Sequence, residues 1–182
     1  MSASLLPRSL EFRQAQTNEL EAAAALICQS FYALDTLLFL VAPLIQWGIW
    51  QDLNQRQRQG KQGYGCFIAT HPQTAHLLGV VEVELRLLES NFPYKKGIPR
   101  PYLSNLAVHP DYRRQGIGQQ LIQTVEAWLI QHQHPEVYLH VLASNTIAQG
   151  LYQQLGYQLR ATDAHWLLPT RLLLSKTLSS LA

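Results

Sequence analysis

The spacing of apolar positions along this 182-residue chain changes several times, and each change marks an element. "HLLGVVEVELRLL" at 76–88 alternates: Val81, Val83 and Leu85 interleave with Glu82 and Glu84, as on a strand whose two faces meet different surroundings. "GIGQQLIQTVEAWLIQH" at 116–132 instead sets Ile117, Leu121, Val125, Trp128 and Leu129 on one helical face. The same tests predict strands at "SLEFRQA" (9–15), "YGCFIAT" (64–70), "YLSNLAV" (102–108), "EVYLHVL" (136–142), "YQLRA" (157–161) and "HWLLPTRLLLSK" (165–176). Helices are predicted from Thr17 or Asn18, either of which can cap, to about Ser30, and over "NTIAQGLYQQLG" at 145–156. "HPQTA" (71–75) reads as a hairpin turn, and "ESNFPYKKGIPRP" (89–101) as a loop by its prolines and glycine. No repeat or linker interrupts this order, which predicts a single domain over 1–182, α/β or α+β in class.

One stretch resists a simple assignment. "FYALDTLLFLVAPLIQWGIW" at 31–50 is about long enough to cross a bilayer. Asp35, Pro43, Gln46 and Gly48 weigh against a lipid-facing span, so no membrane span is expected. The segment reads instead as broken helices running on through "QDLNQRQRQG" to the glycines near Gly60 and Gly63, with apolar faces packed on a sheet and some surface left for a partner. The N-terminal "MSASLLPRSLEF" lacks the apolar core of a signal peptide.

Composition narrows the function classes. Hydrophobic residues make up 47% of the chain and charged residues only 14%, enough for a sizeable core. A net charge of +2 with no basic stripe gives no footprint for nucleic acid. Cys28 and Cys66 stand singly among apolar neighbours, without metal-ligand spacing or a disulfide framework, which fits a reducing cytoplasm. No metal site is expected.

The chemistry concentrates in "NLAVHPDYRRQGIGQQLI" at 105–122, where two glycines stand at a helix entrance. Each costs about 1 kcal/mol against alanine in a helix interior, so bare backbone must serve something there. Amides at a helix N-terminus point outward, unpartnered and partially positive, and bind phosphate; Arg113 and Arg114 add donors and charge. The alternative is an ordinary glycine-bearing turn. A P-loop fails, because Gly60-Lys61 is followed by Gln62. A dinucleotide fingerprint fails too, because its third glycine falls at Leu121.

The pattern that fits is Gln/Arg-x-x-Gly-x-Gly/Ala, as Arg113-Arg114-Gln115-Gly116-Ile117-Gly118. In this the sequence resembles the GNAT superfamily of acetyl-CoA-dependent N-acetyltransferases. A second signature follows in "SNTIAQGLYQQLGYQL", similar to the family's Asn-x-x-Ala…Tyr-x-x-x-Gly-Phe/Tyr. The resemblance implies a mixed, mostly antiparallel sheet splayed between two central strands and flanked by helices, with acetyl-CoA as co-substrate. It also implies that the strand of Leu106, Ala107 and Val108 lends its backbone to the pantetheine arm. Residues Arg113 to Gly118, with Gln119 behind them, would hold the pyrophosphate. Asn145 would contact the cofactor arm, and Tyr152 would protonate the departing thiolate.

The base is a departure. In the ribosomal-protein-alanine branch a glutamate stands five residues before the signature asparagine, where this chain has His140. "YLHV", with Tyr102 three residues before "NLAV", is similar instead to NatE-type N-terminal acetyltransferases. There a histidine and a tyrosine on neighbouring strands hold a water that takes the proton. Histidine suits the task, because its pKa near 6.5 leaves it mostly neutral at cellular pH. Glu82 or Glu84 is the fallback base, although such an alternating face is usually only solvated. "APLIQWGIWQDLNQRQRQ" followed by "GYGCFIA" resembles GNAT proteins of cyanobacteria and plastids that acetylate protein N-termini and lysines. The resemblance therefore implies a protein or peptide amine acceptor. A small-molecule amine acetyltransferase and a non-catalytic acyl-CoA-binding module stay open as alternatives.

Overall fold

The computed structural model describes residues 10–31, 41–59, 63–74, 76–88, 98–164 and 167–178. Among them are the strands β1 (Glu11–Gln14), β2 (Gly65–Thr70), β3 (Leu77–Arg86), β4 (Arg100–Val108), β5 (Glu136–Leu142), β6 (Gln158–Asp163) and β7 (Arg171–Thr177). The helices are α1 (Leu20–Phe31), α2 (Ala42–Arg58), α3 (Ile117–Gln131) and α4 (Thr146–Gln154). The strands form one mixed sheet in the order β1-β2-β3-β4-β5-β7-β6. β1–β2, β5–β7 and β6–β7 pair antiparallel, whereas β4 and β5 are parallel, through Tyr102↔Tyr138 and Leu103↔Leu139. Residue contacts divide the chain into two compact units, 1–82 with 105–124, and 83–104 with 125–182.

In the first unit, α1 presents Leu20, Ala23, Ala24 and Ile27 to Ile68, Val80 and Ala107, with Leu53 of α2 in the same cluster. The entry of α1 differs from the sequence expectation. Neither Thr17 nor Asn18 caps it; a 3₁₀ turn over Thr17–Glu19 leads in, and the Glu19 carboxylate accepts the Gln16 amide at 2.8 Å. Arg13 clamps the same carboxylate with two bonds of 2.7 Å, tying β1 to the helix start and holding the Glu19 pKa below its usual value.

α2 begins within the ambiguous apolar segment, whose residues 32–40 lie outside the described ones, as does Gly60. It buries only Leu53 fully, and Leu44 and Trp47 stay 70% and 57% exposed, so its apolar positions are not all packed on the sheet. A shallow cavity of about 320 Å³ lies beside it, lined by Glu21, Pro43, Gln46, Trp47 and Trp50. Among the described residues no helix is long and apolar enough to cross a membrane.

In the second unit, Tyr102, Tyr138 and Leu173 form a core cluster joined by Leu88 and Ala161. Several strand limits depart from the sequence reading. β4 starts at Arg100, taking Arg100 and Pro101 out of the expected loop; β6 runs on to Asp163; and β7 starts only at Arg171. Trp128, placed by periodicity on the buried face of α3, is only partly buried and lies 4.1 Å from the His132 ring. Ile122 takes the buried place instead.

Candidate active site

In the first unit, β4 ends at Val108 and the chain turns through Pro110–Tyr112 into α3. Arg114 (φ 64) and Gly116 (φ 80) both adopt left-handed backbone, two residues apart. A glycine is needed at the second, and an ideal Cβ built there meets no atom within 4 Å, so the backbone lies open. The first intrahelical bond runs from the Gln120 amide to the Gly116 carbonyl, leaving the Ile117, Gly118 and Gln119 amides ahead of the helix's own ladder. Arg113, Arg114, Gln115 and Gly116 are exposed. The Arg113 Nε donates to the Val108 carbonyl at 3.0 Å, which ties the turn to the end of β4. Gly79 of β3 sets how close α3 lies: a Cβ there would stand 2.9 Å from Leu121, 3.0 Å from Ile117 and 3.3 Å from the Ala107 carbonyl. These open amides with two adjacent guanidinium groups fit a pyrophosphate.

Leu106, Ala107 and Val108 form the last residues of β4, with Ala107 buried. Just before them Asn105 also has left-handed backbone (φ 53), an interruption inside a strand that asparagine tolerates better than most residues. Its amide Nδ2 donates to Glu82 Oε1 at 2.6 Å, and the Tyr64 hydroxyl donates to Oε2 at 3.1 Å. Arg56 of α2 stands 3.8 Å from the same Oε2. Glu82 is therefore 1% exposed and fully engaged, not on a solvated face, and burial pushes its pKa up. Glu84, in the second unit, is ion-paired with Arg86.

The second unit gathers the titratable groups. The Tyr102 hydroxyl lies 2.9 Å from His140 Nδ1, and His140 Nε2 lies 2.9 Å from Asp163 Oδ2. The two side chains bond directly, where the resemblance implies a water held between them. Arg86 stacks 4.4 Å above the Tyr102 ring. Burial, with the charges of Arg171 and Arg86, lowers the His140 pKa against the bond and charge of Asp163, which raise it, so the imidazole is mostly neutral at neutral pH. Burial raises the Tyr102 pKa, keeping its proton on. On α4, Tyr152 is 8% exposed and packs edge-on against Tyr157 at 5.6 Å. Burial, then the neighbouring Tyr102, pushes its pKa up to about 12. Asn145 is the N-cap of α4, its Oδ1 accepting the Ala148 amide at 3.1 Å, so the carbonyl end of its side chain is spent inside the helix.

Sequence reasoning missed Asp163. The β6–β7 register slips between Leu159 and Ala161, a bulge that reverses which face the following residues take. Ala161 then pairs with Leu173, the partner of His140, and Asp163 shares their face. No local pattern carries that information. Among the described residues, no group of three or more His, Cys, Asp or Glu is placed to hold a metal.

A family model described as "Acetyltransferase (GNAT) family" matches residues 29–157. The chain belongs to the GNAT family. Its members are acetyl-CoA-dependent N-acetyltransferases, and the glycine turn described above lies within the matched region. An aminoglycoside N(6')-acetyltransferase of Acinetobacter genomosp. 13 is 28% identical over 117 residues, 60% of this chain and 77% of that protein. The bS18-alanine N-acetyltransferase of Escherichia coli K12 is 42% identical over 55 residues, 30% of this chain and only 37% of the relative's length. Among solved structures, a PaiA N-acetyltransferase from Thermoplasma acidophilum, in complex with coenzyme A, superposes with a TM-score of 0.70. At 19% identity, and with 93% of this chain and 99% of that one covered, it establishes the GNAT fold.

Proposed function

We propose that this GNAT enzyme acetylates the free α-amine of a protein or peptide N-terminus. The observation that carries the reading is the bond between His140 and the Tyr102 hydroxyl, at a histidine whose pKa burial lowers. A weak base of this kind suits an amine that is already partly deprotonated. At pH 7 an α-amine with pKa near 7.8 is roughly one-tenth neutral, whereas a lysine is below about 0.1% neutral. The similarity to a bS18-alanine acetyltransferase supports the same acceptor class.

In this reading the open amides and arginines of residues 113–119 bind the CoA pyrophosphate, and Leu106–Val108 offer backbone to the pantetheine arm. Asn145 contacts that arm through its amide nitrogen. The amine lone pair attacks the thioester carbonyl, its proton leaves through Tyr102 to His140, and Tyr152 protonates the departing thiolate. The exposed Leu44 and Trp47 of α2 give an acceptor chain an apolar surface to rest on.

A second reading rests on the longer match to the aminoglycoside enzyme: a small polyamine acceptor. Turnover of acetyl-CoA against matched peptides with free and blocked N-termini, and against an aminoglycoside, separates the two. Activity on free N-termini that vanishes on blocking is the expected result. Activity confined to the aminoglycoside overturns the proposal in favour of the second reading.

A further inference from the structure

We infer that Asp163 is a positioning residue for proton removal, its carboxylate holding His140 in the Nε2–H tautomer so that Nδ1 accepts from the Tyr102 hydroxyl. The inference rests on the proposed roles of His140 and Tyr102 and adds a third member to their chain. An ionised carboxylate only accepts hydrogen bonds, so at 2.9 Å His140 Nε2 must carry the hydrogen. In the neutral ring Nδ1 is then the lone pair, and the hydroxyl 2.9 Å away must donate to it. One orientation satisfies all three groups.

The sheet is built to deliver this contact. Asp163 lies two strands away from His140, beyond β7, and the bulge at Arg160 turns Ala161 and Asp163 onto the face that carries Leu173 and His140. Arg160 is held in place by its own bond to Ser175 Oγ at 2.7 Å. Among the described residues, the groups facing the imidazole are Tyr102 and its stacked Arg86 from β4 and β3, Asp163 from β6 and Arg171 from β7. Glu84 pairs with Arg86, and Arg171 stands 3.9 Å from Asp163 Oδ2. Asp163 is thus the carboxylate bonded to the ring, and the two arginines oppose protonation of His140.

The step balances without a further reactant. As the amine nitrogen forms its bond to the thioester carbon, its N–H proton passes to the Tyr102 oxygen while the Tyr102 proton moves to His140 Nδ1. The imidazolium so formed faces the Asp163 carboxylate. The C–S bond breaks, the thiolate takes its proton from Tyr152, and both residues then exchange with solvent to their starting states.

The test compares Asp163→Asn, Asp163→Ala and His140→Ala in the full chain, each checked for a wild-type thermal melt. Asp163→Asn keeps the size of the side chain, so it reports even where the alanine variant folds poorly. An asparagine can donate to Nε2 and turn the ring to the wrong tautomer, so kcat/KM should fall on the order of 10²-fold. Losing the negative charge should also move the acid limb of the kcat/KM profile to lower pH, which a merely structural defect would not do. The imidazole ¹⁵N shifts of His140 in the resting protein should report Nε2–H in the wild type and a mixed or reversed tautomer in Asp163→Asn. An inactive His140→Ala beside Asp163 variants with wild-type rate, limb and tautomer overturns this inference alone. A fully active His140→Ala overturns the relay itself and the inference with it.

Discussion

At the scale of single residues, the proposed proton removal rests on the pair His140 and Tyr102. His140→Ala should cut kcat/KM by roughly 10²–10⁴, and Tyr102→Phe by less. The double variant should lose less than the product of the single losses, because both act on one proton. Since the His140 pKa lies below its ordinary value, kcat/KM should fall at a lower pH than an ordinary histidine would give, once acceptors of different pKa are used to separate the amine's own titration. Tyr152→Phe keeps the ring against Tyr157 but removes the donor; kcat should fall on the order of 10²-fold with acetyl-CoA affinity kept. Near-normal kcat would make Tyr152 a packing residue. Glu82 answers differently. Gln can accept from Asn105 and donate to the Tyr64 oxygen, so Glu82→Gln should stay folded and active, which a catalytic base could not. Glu82→Ala leaves Asn105, Tyr64 and Arg56 around a hole and should cost about 2–5 kcal/mol in denaturant unfolding.

Among the elements, the entrance of α3 is the most constrained. Valine at position 116 takes a β-branched side chain into left-handed backbone, a strain of about 1–2 kcal/mol, and adds a Cβ over the open amides. Calorimetry on Gly116→Val should show acetyl-CoA binding weakened at least tenfold, together with a slightly lower melting point. Unchanged affinity would remove the turn from the binding site. The order of strands and helices was legible, because burial on one face imposes a period of 2 or 3.6 wherever it acts. "RRQGIG" was legible too, since two glycines at a helix start have a local cost. What pairing decides across the sheet was not. The bulge at Arg160, the left-handed Asn105 and the late start of β7 at Arg171 depend on register, which no stretch of sequence states by itself. Tyr102 and His140 were found through resemblance; Asp163, two strands off and past a bulge, had no signal to give.

For the whole molecule, each unit holds one part of the proposal: the open helix entrance in the first, and the Tyr102–His140–Asp163 chain with Tyr152 in the second. GNAT membership gives the reaction its donor, acetyl-CoA, and the base proposed at His140 argues for an acceptor amine of low pKa. The decisive measurement offers both amines at once. A peptide with a free N-terminal alanine and one internal lysine is incubated with the enzyme and acetyl-CoA at neutral pH, and fragment-ion mass spectrometry locates the acetyl group. The account predicts modification of the alanine α-nitrogen, lost in His140→Ala. Acetylation of the lysine instead, or an unmodified peptide beside a rapidly acetylated aminoglycoside, would contradict it.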